Sequence, residues 1–388
     1  MTRTIYFDAN ATTRPLPEVV EAVTRALRDA WGNPSSLHGE GAAARECVES
    51  ARARVAALIG ARTTEVIFTS GATESVNTVI RSAVAADRTG RPRILHSAVE
   101  HECVIEAAAA ARSEGAEIVS IPVDGEGRLD LDVLRSELDR GASLCSVMWS
   151  NNETGTLLPV RAVAEACRAR GVPLHVDATQ APGKDVVAVE DVGVDFLSIS
   201  AHKFHGPKGV GALYVRRGAR FRKWMHGAPH EGGRRAGTEN VPGIVGMGVA
   251  AERAASGIAE RRAVMASLAE ELERGLLAIE GVVVNGRGDG RMPGTVNVSF
   301  HGIEGASVVL TAAREGLCLS AGSACSAAQF GGSHVLEAMG MRFERLLGAV
   351  RYSLSAENTR DEVGIALDVT RRAVAKLREM DPARRRGN

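Results

Sequence analysis

The sequence predicts an α/β protein in which a mostly parallel sheet is covered by helices and followed by a second, smaller domain. Three observations predict it. Short β-rich apolar runs recur seven times between residues 66 and 215, helical patterns separate most of them, and near residue 250 the texture changes to one long amphipathic stretch. Strands buried on both faces read as continuous apolar runs, and parallel pairing needs helical crossovers between them. At 388 residues the chain also exceeds the usual reach of a single core.

In chain order, the runs fall at 66–69, 94–97, 118–121, 144–149, 174–177, 196–200 and 211–215. After the first, Thr69-Ser-Gly-Ala-Thr-Glu-Ser75 reads as a strand giving way to a helix. The alanines at 107–111 are ordinary helix interior. Residues 161–170 form a helical pattern that ends at Gly171 with Pro173 beyond, the expected order of stop signals. From residue 250 onward, Val264, Leu268, Leu272, Leu276 and Ile279 are expected on one buried stripe. Strands at 282–284 and 295–300, a helix over 305–314, a small-residue segment over 317–326, a strand at 350–354 and a closing helix complete the pattern, with a basic tail at the end.

Composition bounds the partners. Forty-seven basic and 47 acidic residues give a formal net charge of zero, so no whole-protein field draws the chain to nucleic acid or a membrane. The N-terminal residues lack a signal peptide's apolar core, and no apolar stretch is long enough to span a bilayer. We therefore expect a reducing cytoplasm in which the six cysteines are free thiols, with no metal.

Two short stretches carry the chemistry. His175-Val-Asp-Ala-Thr-Gln180 places Asp177 at the end of a predicted strand and Gln180 just after it; Ser198-Ile-Ser-Ala-His-Lys203 does the same for His202 and Lys203. A carboxylate ending a buried strand can keep a pyridinium nitrogen protonated, and a lysine past the neighbouring strand can form a Schiff base with an aldehyde. Together they describe a pocket for pyridoxal 5'-phosphate and chemistry at an amino acid's Cα. Lys208, in Gly-Pro-Lys-Gly, reads as a loop lysine, which leaves Lys203 as the reactive amine.

Other residues admit more than one role. The helix start at Gly71, Ala72 and Thr73 offers N–H donors and a hydroxyl to a phosphate, with Ser200 and His202 approaching from the other strand; an ordinary capped helix looks similar. His101 follows a strand and could stack on the cofactor or shuttle a proton, and Asn152 could reach cofactor or substrate. Cys325 lies among small residues, a setting that suits an exposed nucleophile. Arg351, on a strand-like run, needs an anionic partner, either a substrate carboxylate or a structural ion pair. The Gly-rich basic loop at 232–239 could present Thr238 to a phosphate.

These strings resemble the cysteine desulfurases of the NifS and IscS type, within the class V aminotransferases of fold type I. The likeness runs through Asp8-Ala-Asn-Ala-Thr-Thr13, Gly32-Asn-Pro-Ser-Ser36, Ser70-Gly-Ala-Thr-Glu74, Glu100-His101, Asn151-Asn-Glu-Thr-Gly155, Asp177 with Gln180, Ala201-His-Lys203, Arg234-Arg-Ala-Gly-Thr-Glu239 and Gly322-Ser-Ala-Cys325. The resemblance implies that Lys203 holds the cofactor, Asp177 its pyridine nitrogen, Gln180 its ring oxygen, and His101 its ring face. It implies that Ala72, Thr73, Ser200 and His202 hold the phosphate, with Thr238 reaching the other subunit's phosphate in a homodimer. Asn152 and Arg351 would bind L-cysteine. Cys325 would take its sulfur as a persulfide for an acceptor protein, leaving alanine.

The expected division is a large cofactor domain over 15–255 and a small domain from 1–14 with 256–388, which carries the cysteine loop. A selenocysteine lyase or another C–S lyase using the same cofactor is the alternative. After Cys325, many relatives read Ser-Leu-Glu-Pro-Ser where this chain reads Gln329-Phe-Gly-Gly-Ser333, so the loop keeps its length and loses a proline.

Overall fold

Burial on both faces selects the strands of the central sheet. The computed structural model describes residues 4–286, 290–322 and 332–380. A short strand β1 (Ile5–Tyr6) lies outside the main sheet. The sheet itself contains β2 (Val66–Thr69), β3 (Arg93–Ser97), β4 (Glu117–Ile121), β5 (Leu144–Met148), β6 (Leu174–Asp177), β7 (Phe196–Ser200) and β8 (Gly211–Val215). Every residue of β2, β3, β5, β6, β7 and β8 is buried; the edge strand β4 turns Glu117 and Ser120 to solvent, as an unpaired edge should.

The strand order is β2-β8-β7-β6-β5-β3-β4. All neighbours pair in parallel except at β8, which is antiparallel to both β2 and β7. The reason is the connection: a single 3-10 turn (Ala201–Lys203) and a loop join β7 to β8, with no helix to carry a parallel crossover. Because β8 is reversed against both neighbours, β2 and β7 run the same way. Thr69 and Ser200 therefore flank one residue, Gly211, at the same end of the sheet as Asp177. A side chain on Gly211 would meet Ile199 O at 2.6 Å and Gly71 Cα at 2.7 Å, so glycine is what lets the turn after β2 lie against β7.

A second core forms around an antiparallel sheet of β9 (Val282–Asn285), β10 (Thr295–Phe300) and β12 (Ala349–Ser353), while β11 (Leu317–Cys318) pairs with β1. Helices Ile258–Leu277 and Arg360–Met380 pack on it, and Leu268, Leu272 and Leu276 join Val298, Phe300 and Tyr352 together with Ile5 and Phe7. The expected stripe fails at one place: Val264 is 44% exposed, and Met265 is buried instead. Each step of four residues overshoots a turn by about 40°, so a stripe of such steps winds away from the core.

The chain from Asp8 to Thr13 crosses between the two cores. Ala9 N donates to Ser353 O on β12 at 2.9 Å, and Thr13 N donates to His202 O after β7 at 2.8 Å. Elsewhere, the loop ahead of helix Val241–Ala255 is pinned by Glu231, whose buried carboxylate accepts from Arg52 Nη1 and Nη2 at 2.7 and 2.8 Å and from Phe68 N at 2.8 Å.

Removing Glu231 leaves the Arg52 guanidinium with the half-exposed Glu49 as its remaining carboxylate partner, at 3.2 Å, and strips its buried Nη groups of their two shortest bonds. Glu231→Ala is expected to lower the unfolding free energy by about 3–5 kcal/mol, read from urea denaturation. A loss below about 1 kcal/mol would mean that Arg52 finds water or another acceptor.

Candidate active site

Parallel strands aim their carboxyl ends, and the loops that follow, at one side of a sheet, where ligands of such folds bind. A cavity of about 380 Å³ opens there, lined by residues from the ends of β2, β5, β6 and β7, from the loop after β3 and from Ala11. Ala72, Thr73, His101, Asn152, Asp177, Gln180, Ser200, His202 and Lys203 all line it. A larger groove of about 660 Å³ lies at the opposite strand ends, and its lining contains no lysine or histidine.

Asp177 ends β6 and is almost fully buried; its Oδ1 accepts from Thr179 N at 3.0 Å and from the Thr179 hydroxyl. One strand over, Lys203 follows β7 and donates from Nζ to Asn10 O at 2.6 Å and Ala11 O at 2.9 Å. Beneath them, His175 bonds the Ser146 hydroxyl through Nδ1 at 2.8 Å and the Ser198 hydroxyl through Nε2 at 2.9 Å, linking β5, β6 and β7. Burial pushes its pKa down to about 4, against the opposing pull of Asp177.

His101 begins helix Glu102–Ser113, where Nδ1 accepts from Cys103 N at 3.1 Å. That acceptor role places the neutral ring's proton on Nε2. Burial, more than any charge, holds its pKa below the ordinary value. His202 Nδ1 lies 3.1 Å from Thr12 Oγ1; burial, then Lys203 and Lys208, push its pKa down to about 4. Both rings are thus neutral near pH 7.

Two features point to a bound anion. Helix Ala72–Ala86 starts at the cavity with no side-chain cap, which leaves first-turn N–H groups for a ligand. The Ser150 hydroxyl, also in the lining, is buried with no hydrogen-bond partner.

Arg351 on β12 is 1% exposed; it donates from Nη2 to Asp8 Oδ1 at 2.8 Å and from Nη1 to Asn152 O at 3.0 Å, while its buried Nε has no partner. Of the two expected partners the structure shows the ion pair, to Asp8; Arg351 is not in the cavity lining and touches it only through Asn152 O.

Not every expected residue comes to the cavity. Thr238 is exposed and outside the lining, on the loop tied to the helix start by Arg235 and Glu74 at 2.8 Å. Cys325 and the Gln329-Phe-Gly departure lie outside the described residues. Just beyond them, Ser333 Oγ donates to the buried Glu153 Oε2 at 2.6 Å, and His334 Nε2 donates to Glu100 O at 2.9 Å.

Sequence reasoning missed several residues at this site. Lys208, read as a loop lysine, lines the cavity, as do Cys103 and Thr179. Glu100 is fully buried, accepts from Ser97 Oγ at 2.5 Å and Met148 N at 2.7 Å, and has its pKa pushed up to about 8 by burial, then by Asp177. Only its place beside His101 hinted at this.

The family profile described as Aminotransferase class-V matches residues 5–365. A cysteine desulfurase of Gluconacetobacter diazotrophicus is 44% identical over 381 residues, 97% of this chain and 95% of its own. The cysteine desulfurase IscS of Dictyoglomus turgidum is 41% identical over 386 residues, 98% of this chain and 97% of its own. Among solved structures, a NifS-like protein superposes with a TM-score of 0.91 at 36% identity, covering 97% of this chain and 100% of that one. SspA in complex with cysteine superposes with a TM-score of 0.81 at 30% identity, over 92% of this chain and 100% of that one.

His175 supplies a pH signature. Above pH 6.5 neither folded nor unfolded chain protonates it; below that the unfolded chain takes the proton first, so stability is lost as pH falls from 6.5 toward about 4. Between about pH 7.5 and about pH 5, wild type should lose about 2 kcal/mol more unfolding free energy than His175→Gln. Parallel losses in urea titrations would show that His175 does not stay neutral in the fold.

Proposed function

The chain belongs to the class-V aminotransferase family, and from that membership and the site we infer that it is a cysteine desulfurase, converting L-cysteine to L-alanine with the sulfur carried as a persulfide on Cys325. One observation carries the reading: Asp177 and Lys203, at the ends of adjacent parallel strands, share a cavity with an uncapped helix start. That donor set fits pyridoxal 5'-phosphate. When bound, the cofactor supplies an electron sink beside the substrate's Cα.

Lys203 would hold the cofactor aldehyde and, once displaced by substrate, move the Cα proton. Asp177 would keep the pyridine nitrogen protonated, with its Oδ1 held in place by two bonds from Thr179. Ala72, Thr73, Ser200 and His202 would bind the phosphate, and His101 would cover the ring as a neutral imidazole. Lys208, exposed at the rim, adds positive charge on the same side.

Arg351 and Asn152 would receive the substrate carboxylate. The substrate would join or displace Asp8 at a guanidinium already held in place, a reading that the unpartnered Nε supports. The Cys325 thiolate then attacks the substrate sulfur; the new S–S bond forms as the C–S bond breaks, its electron pair passes to the carbon fragment, and protonation there yields alanine. An acceptor protein takes the outer sulfur and returns Cys325 to the thiol.

A homodimer in which Thr238 serves the partner's phosphate is part of this reading; the exposure of Thr238 and its absence from the lining of the chain's own cavity support it. The division into 15–255 and 1–14 with 256–388 is proposed on the cluster around the small sheet, which recruits Ile5 and Phe7; Val335, Leu336, Met339 and Leu346 cross it by packing into the core of the main sheet. A reducing cytoplasm fits the unpaired Cys47, Cys103, Cys145, Cys167 and Cys318. Among the described residues no helix is long and apolar enough to cross a membrane.

Incubation with L-cysteine and a reducing thiol should release alanine and sulfide in equal amounts, and Cys325→Ala should abolish both; retained turnover in that variant would exclude Cys325 as the sulfur acceptor. Arg351→Lys should raise KM for L-cysteine by roughly 10- to 100-fold, the value of a charged bidentate contact. A KM within about twofold of wild type would remove Arg351 from substrate binding.

A further inference from the structure

Lys184 is buried at the back of the site, in the turn that follows Gln180. A buried lysine is costly unless its ammonium is bonded, and a carboxylate is the usual partner. Among the described residues its Nζ donates to no carboxylate. It donates to two side-chain amides, Asn10 Oδ1 at 2.7 Å and Gln180 Oε1 at 3.0 Å. The charged groups bearing on it are the cations Lys203 and Arg351, and burial with these neighbours pushes its pKa down to about 7; His205 feels its charge in turn.

Because Nζ donates to both amide oxygens, Lys184 sets which end of each amide faces it. With Oε1 committed to Lys184, Gln180 must present its NH2 elsewhere. One hydrogen goes to Asn10 O at 2.9 Å, and the second is left for a ligand of the cavity that Gln180 lines. The reversed amide would set an NH2 group against the ammonium and offer the ligand a carbonyl oxygen instead. Asn10 is fixed by the same contact, its Nδ2 donating to Asn152 O at 3.1 Å and Thr295 Oγ1 at 2.9 Å.

We propose that Lys184 is a positioning residue that holds the Gln180 amide as a hydrogen-bond donor toward the cofactor's ring oxygen and so favours the ionised form of that oxygen. The inference rests on the cofactor reading given above. A donor stabilises a phenolate and an acceptor stabilises the phenol, so the orientation of one amide sets a protonation state in the cofactor.

Absorbance titration of the cofactor-loaded protein tests it, because the visible and near-ultraviolet bands report on the protonation state of the bound cofactor. Lys184→Met, which removes donor and charge, should shift the titration midpoint by about one unit, a tenfold change in the protonation equilibrium that disfavours the ionised ring oxygen. Lys184→Gln, which keeps a donor without the charge, should restore at least half of that shift. A Met variant that titrates like wild type overturns the proposal, and so does a Gln variant as shifted as Met. Should the Met variant fail to fold, Lys184→Gln still decides, since a shift near one unit in that variant overturns a role for the donor. Wild-type protein with neither band would overturn the cofactor reading itself, a different failure from unchanged bands in the variants.

Discussion

Asn10 holds the site together. Its carbonyl accepts from Gln180 and Lys203, its side chain accepts from Lys184 and donates to Asn152 O and Thr295 Oγ1, and its own N–H donates to Ser353 Oγ. One nearly buried residue on an irregular segment thereby joins the loop after β6, the turn after β7 and two strands of the second core. Buried backbone without a sheet partner must find its hydrogen bonds somewhere. Here they go to the side chains of Gln180, Lys203 and Ser353, so a shift of the Asn10 backbone would move Lys203 and Gln180 with it.

The electrostatics around that hub are one-sided. Lys203 and Arg351 lie close enough to act on Lys184, and Lys208 acts on His202 from the rim. Burial holds His101, His175 and His202 neutral and raises Glu100. A site of this kind is incomplete without anions. In the proposed reading, a phosphate at the helix start and a substrate carboxylate at Arg351 would supply them.

Much of this was legible in the chain. The seven apolar runs became the seven strands of the main sheet to within a residue or two, because strands buried on both faces leave an unbroken apolar signature. Asp177, Gln180, His202 and Lys203 stood out as a set, a carboxylate and a lysine at the ends of neighbouring strands, whereas either alone reads as a turn residue or a solvated charge. Val264 was misplaced because the eye follows steps of four where a helix turns every 3.6 residues. Lys184 passed unnoticed: a lysine in a turn reads as solvated, and only the packing around it shows two amides in place of water.

Local pattern thus determined the fold class, the strand ends and the family resemblance, since each depends on residues close together in the chain. Tertiary structure decided the rest. Reversal of β8 brought Thr69 and Ser200 to either side of Gly211, Arg351 met Asp8 across most of the chain, and Asn10 joined residues far apart in sequence. Burial, and hence the protonation of His101, His175, Glu100 and Lys184, is a property of what surrounds a group in space, and the sequence order around each of them carries no record of it.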